Sequence, residues 1–399
     1  MQELLFLAHR IPYPPDKGDK IRSWHFLEHL ARRYRVHLGC FVDDPRDWQF
    51  EGVLRALCED CCLVGLDPAR ARRHSLRGLF GRQPLTLPYY YNRRLARWVE
   101  EVLRRPAVER AFVYCSAMAQ YLPAELPRPL RRVADFVDVD SEKWEDYAQR
   151  MTGAKAWVYR REGRALRRVE QQVAAAFDRT LLATGLEADL LRRIAPAGAD
   201  RIEAVPNGID GDYFSPERPY DNPYPPERVP LVFTGAMDYW PNADAVQHFR
   251  QAILPAVRAR LPEASFVIVG SNPTAEVAAL AAAPEVIVTG RVPDVRPYTA
   301  HARVVVAPLR VGRGVQNKVL EGMAMARPVV ASPEALAGIE AEAGRELLVG
   351  ADPAAFAAAV CAAADPARGA ELGRNGRRRI LADYAWAVCL ARLEAIMAG

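Results

Sequence analysis

Residues 304–332, from Val304 to Ser332, read VVVAPLRVGRGVQNKVLEGMAMARPVVAS. The pattern is strand, glycine-punctuated loop, helix, strand. Val304 to Ala307 is a short β-branched run suited to a buried parallel strand. Leu309 to Gly314 is a loop with two arginines and two glycines. From Gln316 to Ala326, the residues Val319, Leu320, Met323 and Ala324 recur at helical spacing, and Pro328 stops the helix before Val329 and Val330 begin the next strand. A βαβ crossover of this kind aims the helix N-terminus, with its unpaired N–H groups and positive dipole end, at the carboxyl edge of the sheet. Lys318 and Glu321 lie three residues apart in the first turns, hence on one face. A cation beside backbone N–H groups suits phosphate, and a carboxylate next to it can accept two adjacent hydroxyls. Together they describe a nucleotide-sugar site.

The chain has 399 residues, too many for one comfortable core and about right for two α/β domains. Half of it is hydrophobic and 26% charged, an ordinary globular composition. No apolar run approaches the ~18 residues needed to span a bilayer. The opening Met-Gln-Glu-Leu-Leu-Phe-Leu-Ala lacks a basic n-region and a long h-region, so a first strand is expected there and not a signal peptide. Seven scattered cysteines suggest reduced thiols and a cytoplasmic location. Cys58, Cys61 and Cys62 are close together, but no second Cys/His pair completes a zinc spacing, so packing is expected and no metal.

The net charge of +5 hides an asymmetry. Residues 1–205 hold 35 Lys and Arg against 28 Asp and Glu, whereas the remainder holds 19 against 21. Pro68 to Arg110 alone has 11 arginines and 3 acids. Such a bias points to a polyanionic neighbour for the first half. Basic residues there interleave with Leu79, Phe80 and Tyr89-Tyr90-Tyr91, a mixture that suits nucleic acid or a membrane surface. With no helix-turn-helix, zinc-finger or RNA-recognition motif, an anionic membrane surface is expected and nucleic acid is not. A solvated arginine-rich face is the alternative.

In the first half, Leu4 to Ala8 reads as a strand and is followed by HRIPYPPDKGDK, whose three prolines and Gly18 rule out regular structure. A helix carrying Trp24, Leu27, Leu30 and Ala31 on one face follows, then a strand at Val36 to Phe41. This is an anion-facing βα junction, where Gly18 lets backbone approach a ligand closely. A strand from Arg132 to Val137 opens into Asp138-Val139-Asp140-Ser141-Glu142-Lys143-Trp144. The carboxyl end of a strand is where open α/β sheets bind ligands, although Ser141 and the acids also suit a helix start. A long helix is expected over 154–177, with Val158, Leu166, Val169, Val173 and Phe177 on one face and Arg160, Arg161, Arg164, Arg167 and Arg168 around the rest. After the turn Val205 to Asp210, residues 215–230 hold six prolines and read as a semi-rigid linker. A second alternation follows: strand Leu231 to Thr234, helix Pro241 to Leu261, strand Phe266 to Val269, helix near 275–282, strand Val286 to Thr289. Gly235, Gly270 and Gly290 end these strands and leave the sheet edge open. The opening stretch comes next, then helices near 353–364, 368–381 and 386–397.

VPNGID, the FTG after the proline-rich segment, VIVG, VTGRV and the Lys318-to-Glu321 helix with PVVAS resemble, in that order, the retaining GT-B glycosyltransferases of glycosyltransferase family 4. LAHRIPYPPDKGDKIRSWHFLEHL, DFVDVDSEKW and FTGAMDYWPNADAV are similar in more detail to the sugar transferases of bacterial exosortase (PEP-CTERM) exopolysaccharide systems. The resemblance covers essentially the full chain. It implies an α/β fold of two doubly wound Rossmann-like domains facing across a cleft: 1–206 on the acceptor side, a linker at 207–230, a nucleotide-sugar domain at 231–382, and a helix at 383–399 crossing back to the first domain. It also implies roles. Glu321 would hold the ribose hydroxyls, and Lys318 with the N–H groups of Gly314, Val315, Gln316 and Asn317 the pyrophosphate. Gly235 would admit phosphate, Arg291 and Val292 would lie beside the base, and Gly18 would contact donor phosphate or sugar.

Three positions depart from the family. Arg313 stands where a glutamate is usual eight residues before Glu321; no base follows Gly235 in AMDYWPNAD; and Ala326 replaces the usual glycine at the helix end. Arg310, Arg313 and Lys318 are therefore expected to supply the positive charge that the loop after Gly235 lacks. The resemblance implies transfer of a hexosyl-type group from a UDP- or GDP-linked donor to a glycan or lipid-linked oligosaccharide, at the inner face of the bacterial cytoplasmic membrane, with retention. No cofactor is expected, and no metal, since a helix N-terminus with Lys318 and arginine neutralises a diphosphate as a cation would. Asp138 and Asp140 are the fallback should a metal be needed. A GT-B nucleotide-sugar epimerase and a catalytically silent scaffold binding membrane or partner proteins are the alternatives. The absence of G-x-G-x-x-G after any expected strand argues against a dehydrogenase.

Overall fold

The computed structural model describes residues 2–399 except 17, 82, 124–127, 150 and 313, and for 77 and 80 the backbone alone. Contacts divide the chain into two compact units, one of residues 1–206 with 389–399, the other of 207–388.

In the first unit seven strands form one parallel sheet: β1 (Glu3–Ala8), β2 (Arg35–Val42), β3 (Asp60–Gly65), β4 (Val108–Tyr114), β5 (Arg131–Val137), β6 (Arg179–Leu182) and β7 (Ile202–Ala204). Their order is β3-β2-β1-β4-β5-β6-β7. Helices cover both faces, so β1 is buried along its whole length, as a continuous apolar run requires. The winding reverses between β1 and β4. That reversal leaves a crevice at their carboxyl ends, beside the loops that begin at His9 and Cys115.

One buried ion pair fastens this unit. Arg22, on the helix Gly18–Ala31, is fully buried, and so is Asp135 on β5. Nε and Nη2 of Arg22 donate to the two carboxylate oxygens at 2.7 and 3.1 Å, and Nη1 donates to the Val205 carbonyl at 2.8 Å. Burial raises the Asp135 carboxyl above its ordinary value, with Arg22 pulling against it. The pair joins the first helix, β5 and the end of β7. The last helix, Trp386–Ala398, contributes its C-terminal residues to the same unit: Arg110 and Arg131 donate to the carbonyls of Met397 and Ile396, and Arg33 pairs with Glu394 at 2.7 Å.

The second unit repeats the scheme with six parallel strands, β8 (Val229–Thr234), β9 (Ala264–Val269), β10 (Val286–Gly290), β11 (Val304–Ala307), β12 (Val329–Ala331) and β13 (Leu348–Val349). Their order is β10-β9-β8-β11-β12-β13, with the reversal between β8 and β11. Both units are therefore Rossmann-like. The single helix expected over 241–261 is broken instead into Trp240–His248, a π-turn at Phe249–Ile253 and Leu254–Arg258. Pro255 lacks the N–H that would continue the ladder. The proline-rich segment lies on the second unit. Tyr224 is buried and its hydroxyl donates to the Tyr298 carbonyl at 2.7 Å, while the Arg296 guanidinium stacks 3.8 Å from the Tyr213 ring centre.

The helix Asn317–Ala324 ends in a Schellman turn. Arg327 N donates to Gly322 O and Ala326 N to Met323 O, both at 3.0 Å, with Ala326 left-handed at φ 52°. An alanine pays steric strain there that glycine avoids. Ala326→Gly is expected to raise stability by about 1 kcal/mol in denaturant melts, and a lower midpoint would contradict the strain. Arg22→Met, which leaves the Asp135 carboxyl buried and unmatched, is expected to cost about 3–5 kcal/mol. An unchanged midpoint would remove that pair from the supports of the fold.

Candidate functional site

The second sheet brings a set of the expected residues together at its reversal point. Gly235 follows β8 directly, and the chain turns there at φ 155°. A Cβ on Gly235 would lie 2.7 Å from the Asn242 amide nitrogen, so the approach of that side chain requires glycine. The loop beyond is tied down at both ends. Met237 is buried and its N donates to the Ser271 carbonyl at 2.8 Å, and Asp238 accepts from Asn272 at 3.0 Å. Asn242, on the helix Trp240–His248, donates through Nδ2 to the Ala236 carbonyl at 2.9 Å.

The opposing wall is the loop after β11. Ser332 donates to the Leu309 carbonyl at 2.6 Å and accepts from Ala335 N at 3.2 Å, which holds the start of the loop. Gly314 is left-handed at φ 70°, and a Cβ on Gly338 would come within 2.4 Å of its carbonyl oxygen, so the loop is seated on the 332–338 segment. Val315 packs against the hydrophobic core. Gln316 precedes the first turn of the helix; its side chain makes no cap bond and its carbonyl accepts from Val319 N at 3.0 Å, so the N–H groups of Asn317 and Lys318 are the ones outside the helical ladder.

Lys318 crosses from this helix toward the loop after β8. Its Nζ donates to Asn242 Oδ1 at 3.1 Å and sits 4.9 Å from the centre of the Phe233 ring. Among the described residues, Asn242 is its hydrogen-bond partner, and it is neutral. Burial pulls the Lys318 ammonium down to about 8, with Glu321 pulling the other way. The half-buried Glu321 carboxyl is raised above its ordinary value by the same desolvation, with Lys318 opposing. The site thus holds an under-matched cation, open helical N–H groups and a carboxylate on one face of one helix. That combination can neutralise a phosphate and accept hydroxyls beside it.

Other expected residues fall elsewhere. Arg310 does not join Lys318 as an unmatched cation: its Nε donates to Asp244 Oδ2 at 2.9 Å and its Nη2 to the other oxygen, so its charge is already met at the surface. Arg313 lies outside the described residues. Arg291 is exposed beyond the end of β10, at the edge of the sheet, with Val292 packed on the core beside it.

Gly18 and Asp138 belong to the first unit. A Cβ on Gly18 would meet nothing within 4 Å, so packing alone does not demand glycine there. Asp138 and Asp140 share the ammonium of Lys143, at 2.7 and 3.3 Å. Burial works against that ammonium, but the two carboxylates outweigh it and hold it above its ordinary range. A cation already stands between the two carboxylates of the Asp-x-Asp pattern, and no group of metal-ligating side chains occurs among the described residues.

Sequence reasoning missed Asn242, whose signal was its place two residues past two aromatics in a loop without a base. In the loop after β1, which was expected to face an anion through Gly18, it gave no role to His9 and Arg10. There Arg10 bridges Asp19 and Asp43 at 2.6 and 2.8 Å, and the His9 ring stacks on Tyr114 with Nδ1 lacking a hydrogen-bond partner among the described residues. Burial pushes the His9 imidazole below its usual value. Its only sequence signal was position, directly after the first strand.

Residues 228–365 match the family described as Glycosyl transferases group 1. No curated protein matches the chain in sequence. Among solved structures it is similar to a sucrose-phosphate synthase from Thermosynechococcus elongatus, 18% identical over 99% of this chain and 98% of that one, with a TM-score of 0.68. It is also similar to HepE from Anabaena in complex with UDP and glucose, at 13% identity over 100% of both chains and a TM-score of 0.65. A third is WaaG, a glycosyltransferase involved in lipopolysaccharide biosynthesis, at 15% identity over 99% of this chain and 100% of that one, with a TM-score of 0.66. At these identities the likeness is one of fold. The chain has the fold of the GT-B glycosyltransferases, and its match to the group 1 family lies in the second unit, over the segment that carries Gly235, Lys318 and Glu321.

Proposed function

We propose that the protein is a glycosyltransferase that moves a hexosyl group from a UDP- or GDP-linked donor to a glycan or lipid-linked oligosaccharide, with retention and without a metal. The proposed setting is bacterial exopolysaccharide assembly, peripheral on the inner face of the cytoplasmic membrane. The observation that carries the reading is the Lys318 ammonium, buried at the reversal point of a parallel sheet with a neutral amide as its hydrogen-bond partner. HepE has been solved with UDP-glucose, which supports a nucleotide-sugar as the donor class.

In the reaction the anomeric C–O bond breaks and its electron pair passes to the diphosphate. The acceptor hydroxyl oxygen bonds to the anomeric carbon and its proton leaves on a phosphate oxygen. Negative charge therefore grows where Lys318 and the first-turn N–H groups point, and fixed donors at such a place stabilise the transition state. Asn242 holds the ammonium in position. Glu321 accepts the ribose hydroxyls and fixes the nucleotide.

A thermal-shift panel of UDP, GDP and ADP with their sugars tests the donor. The right nucleotide at ~100 times its Kd is expected to add ~2.7 kcal/mol of stability, and no response to any of them would overturn the reading. Lys318→Ala and Glu321→Ala are each expected to lower turnover by roughly 10²–10³-fold, while EDTA leaves it unchanged. A strict Mg²⁺ requirement would move attention to Asp138 and Asp140.

The pH dependence has a defined sign. The folded-state value of Lys318, about 8, lies below its ordinary 10.5. The folded chain therefore binds fewer protons than the unfolded chain between those values, and this group's contribution to stability rises with pH through that window. A bound diphosphate restores the charge, so nucleotide affinity is expected to fall as pH rises through about 8. Calorimetry in two buffers of different ionisation enthalpy should show proton uptake on binding near that pH. Equal uptake by Lys318→Met would assign the proton to another group.

A further inference from the structure

The helix Gly153–Ala176 distributes its charges unevenly around its axis. Its two acids are buried and engaged. Glu162 accepts from the backbone N–H groups of Leu85 and Thr86 at 2.7 and 2.9 Å, and Glu170 accepts from Ser141 N at 3.0 Å. Two of its arginines are engaged as well, Arg161 with the carbonyls of Gly81 and Gln83 at 2.6 and 3.0 Å, and Arg167 with Glu142. The other three, Arg160, Arg164 and Arg168, are exposed and form no ion pair among the described residues. At 3.6 residues per turn these three fall on one stripe with Trp157, opposite the buried Glu162, Leu166, Glu170 and Val173. The stripe runs roughly 16 Å along the helix.

Its N-terminal end carries Trp157, which is 55% exposed. The rings of Trp144, Tyr147 and Tyr159 pack against one another at 5.0 to 6.5 Å on the side of the helix turned toward Asp140–Gln149, away from the stripe. Beside the stripe runs a groove of about 670 Å³ walled by Pro84, Leu87, Ala165 and Val169, with Arg168 in its lining. No helix among the described residues is long and apolar enough to cross a membrane. A tryptophan at one end of a line of guanidinium groups without ion-pair partners among the described residues suits a lipid surface, with the ring at the headgroup level and each cation on a phosphate.

We propose that this face docks the protein on a bilayer containing anionic phospholipid, with Trp157 entering the headgroup layer and Arg160, Arg164 and Arg168 meeting lipid phosphates. The proposal rests on the peripheral-membrane part of the proposed function and locates it; the nucleotide chemistry of the second unit does not depend on it.

Co-sedimentation of the full chain with phosphatidylcholine vesicles, with and without phosphatidylglycerol, is the test. The protein is expected to pellet with the anionic vesicles, to be released by high salt, and to show a blue shift of tryptophan emission on binding. Arg160→Glu/Arg164→Glu/Arg168→Glu is expected to weaken partitioning by roughly 10²-fold. A matched reversal of exposed arginines in the second unit, Arg260→Glu/Arg374→Glu/Arg378→Glu, changes net charge equally and is expected to leave it nearly intact. Should the first triple variant fail to fold, as read by thermal melt and by its UDP response, Trp157→Ala decides, through loss of the emission shift. If the parent ignores anionic vesicles, both this proposal and the membrane part of the reading fall. If the parent binds and both Trp157→Ala and the helix triple variant bind as well, membrane association stands and this face is wrong. Vesicle-independent capture of a single-stranded RNA oligomer, lost in the helix triple variant, would make the stripe a nucleic-acid surface.

Discussion

A charge taken out of water has to be matched, and the two units of this chain meet that constraint in opposite ways. In the first, the Arg22 fork meets a full counter-charge: a bidentate carboxylate from β5 answers Nε and Nη2, and a carbonyl at the end of β7 answers Nη1. The pair is fully buried and ties three elements together. It fixes the helix that follows β1, and with it the loop that sets His9 and Arg10 at the first sheet's reversal point. In the second unit the buried cation is Lys318, and its hydrogen-bond partner is an uncharged amide. Desolvation is then only partly offset, which is why its proton affinity falls. A polyanion at the same place would complete the match, and this is what supports the proposed donor site.

In the proposed site the helix after β11 supplies the cation that the loop after Gly235 lacks. Asn242 occupies the loop side of the contact and holds the ammonium in place, one amide group reaching both the Ala236 carbonyl and Lys318. Arg310 is paired instead with Asp244. In the first unit the Asp138 and Asp140 carboxylates share the ammonium of Lys143, from the first turn of the helix Asp140–Gln149.

The same accounting separates the arginines of the long helix Gly153–Ala176. Those that face neighbouring segments are bound to carbonyls or a carboxylate, and their order along the helix is what strands the remaining three on the outward stripe. The excess positive charge of the first half is thus only partly a surface property. Some of it fastens residues 78–86 to this helix, through Arg161 and Glu162.

Local pattern carried much of this protein in the sequence. Two alternations of β-branched runs and helical spacings fixed two parallel, doubly wound units, because periodicity of side chains decides whether a segment is strand or helix and which face it buries. Lys318 and Glu321 shared a face on covalent spacing alone, whereas Ala326 stood out only against the glycine usual in the family that the chain resembles. Partners were another matter. Asn242 lies 76 residues from Lys318, Asp244 lies 66 from Arg310, and Asp135 lies 113 from Arg22. Those pairings follow from strand order, from the reversal that sets β8 beside β11, and from where a helix breaks at a π-turn. No local spacing encodes them, because packing decides them only once the whole sheet is assembled.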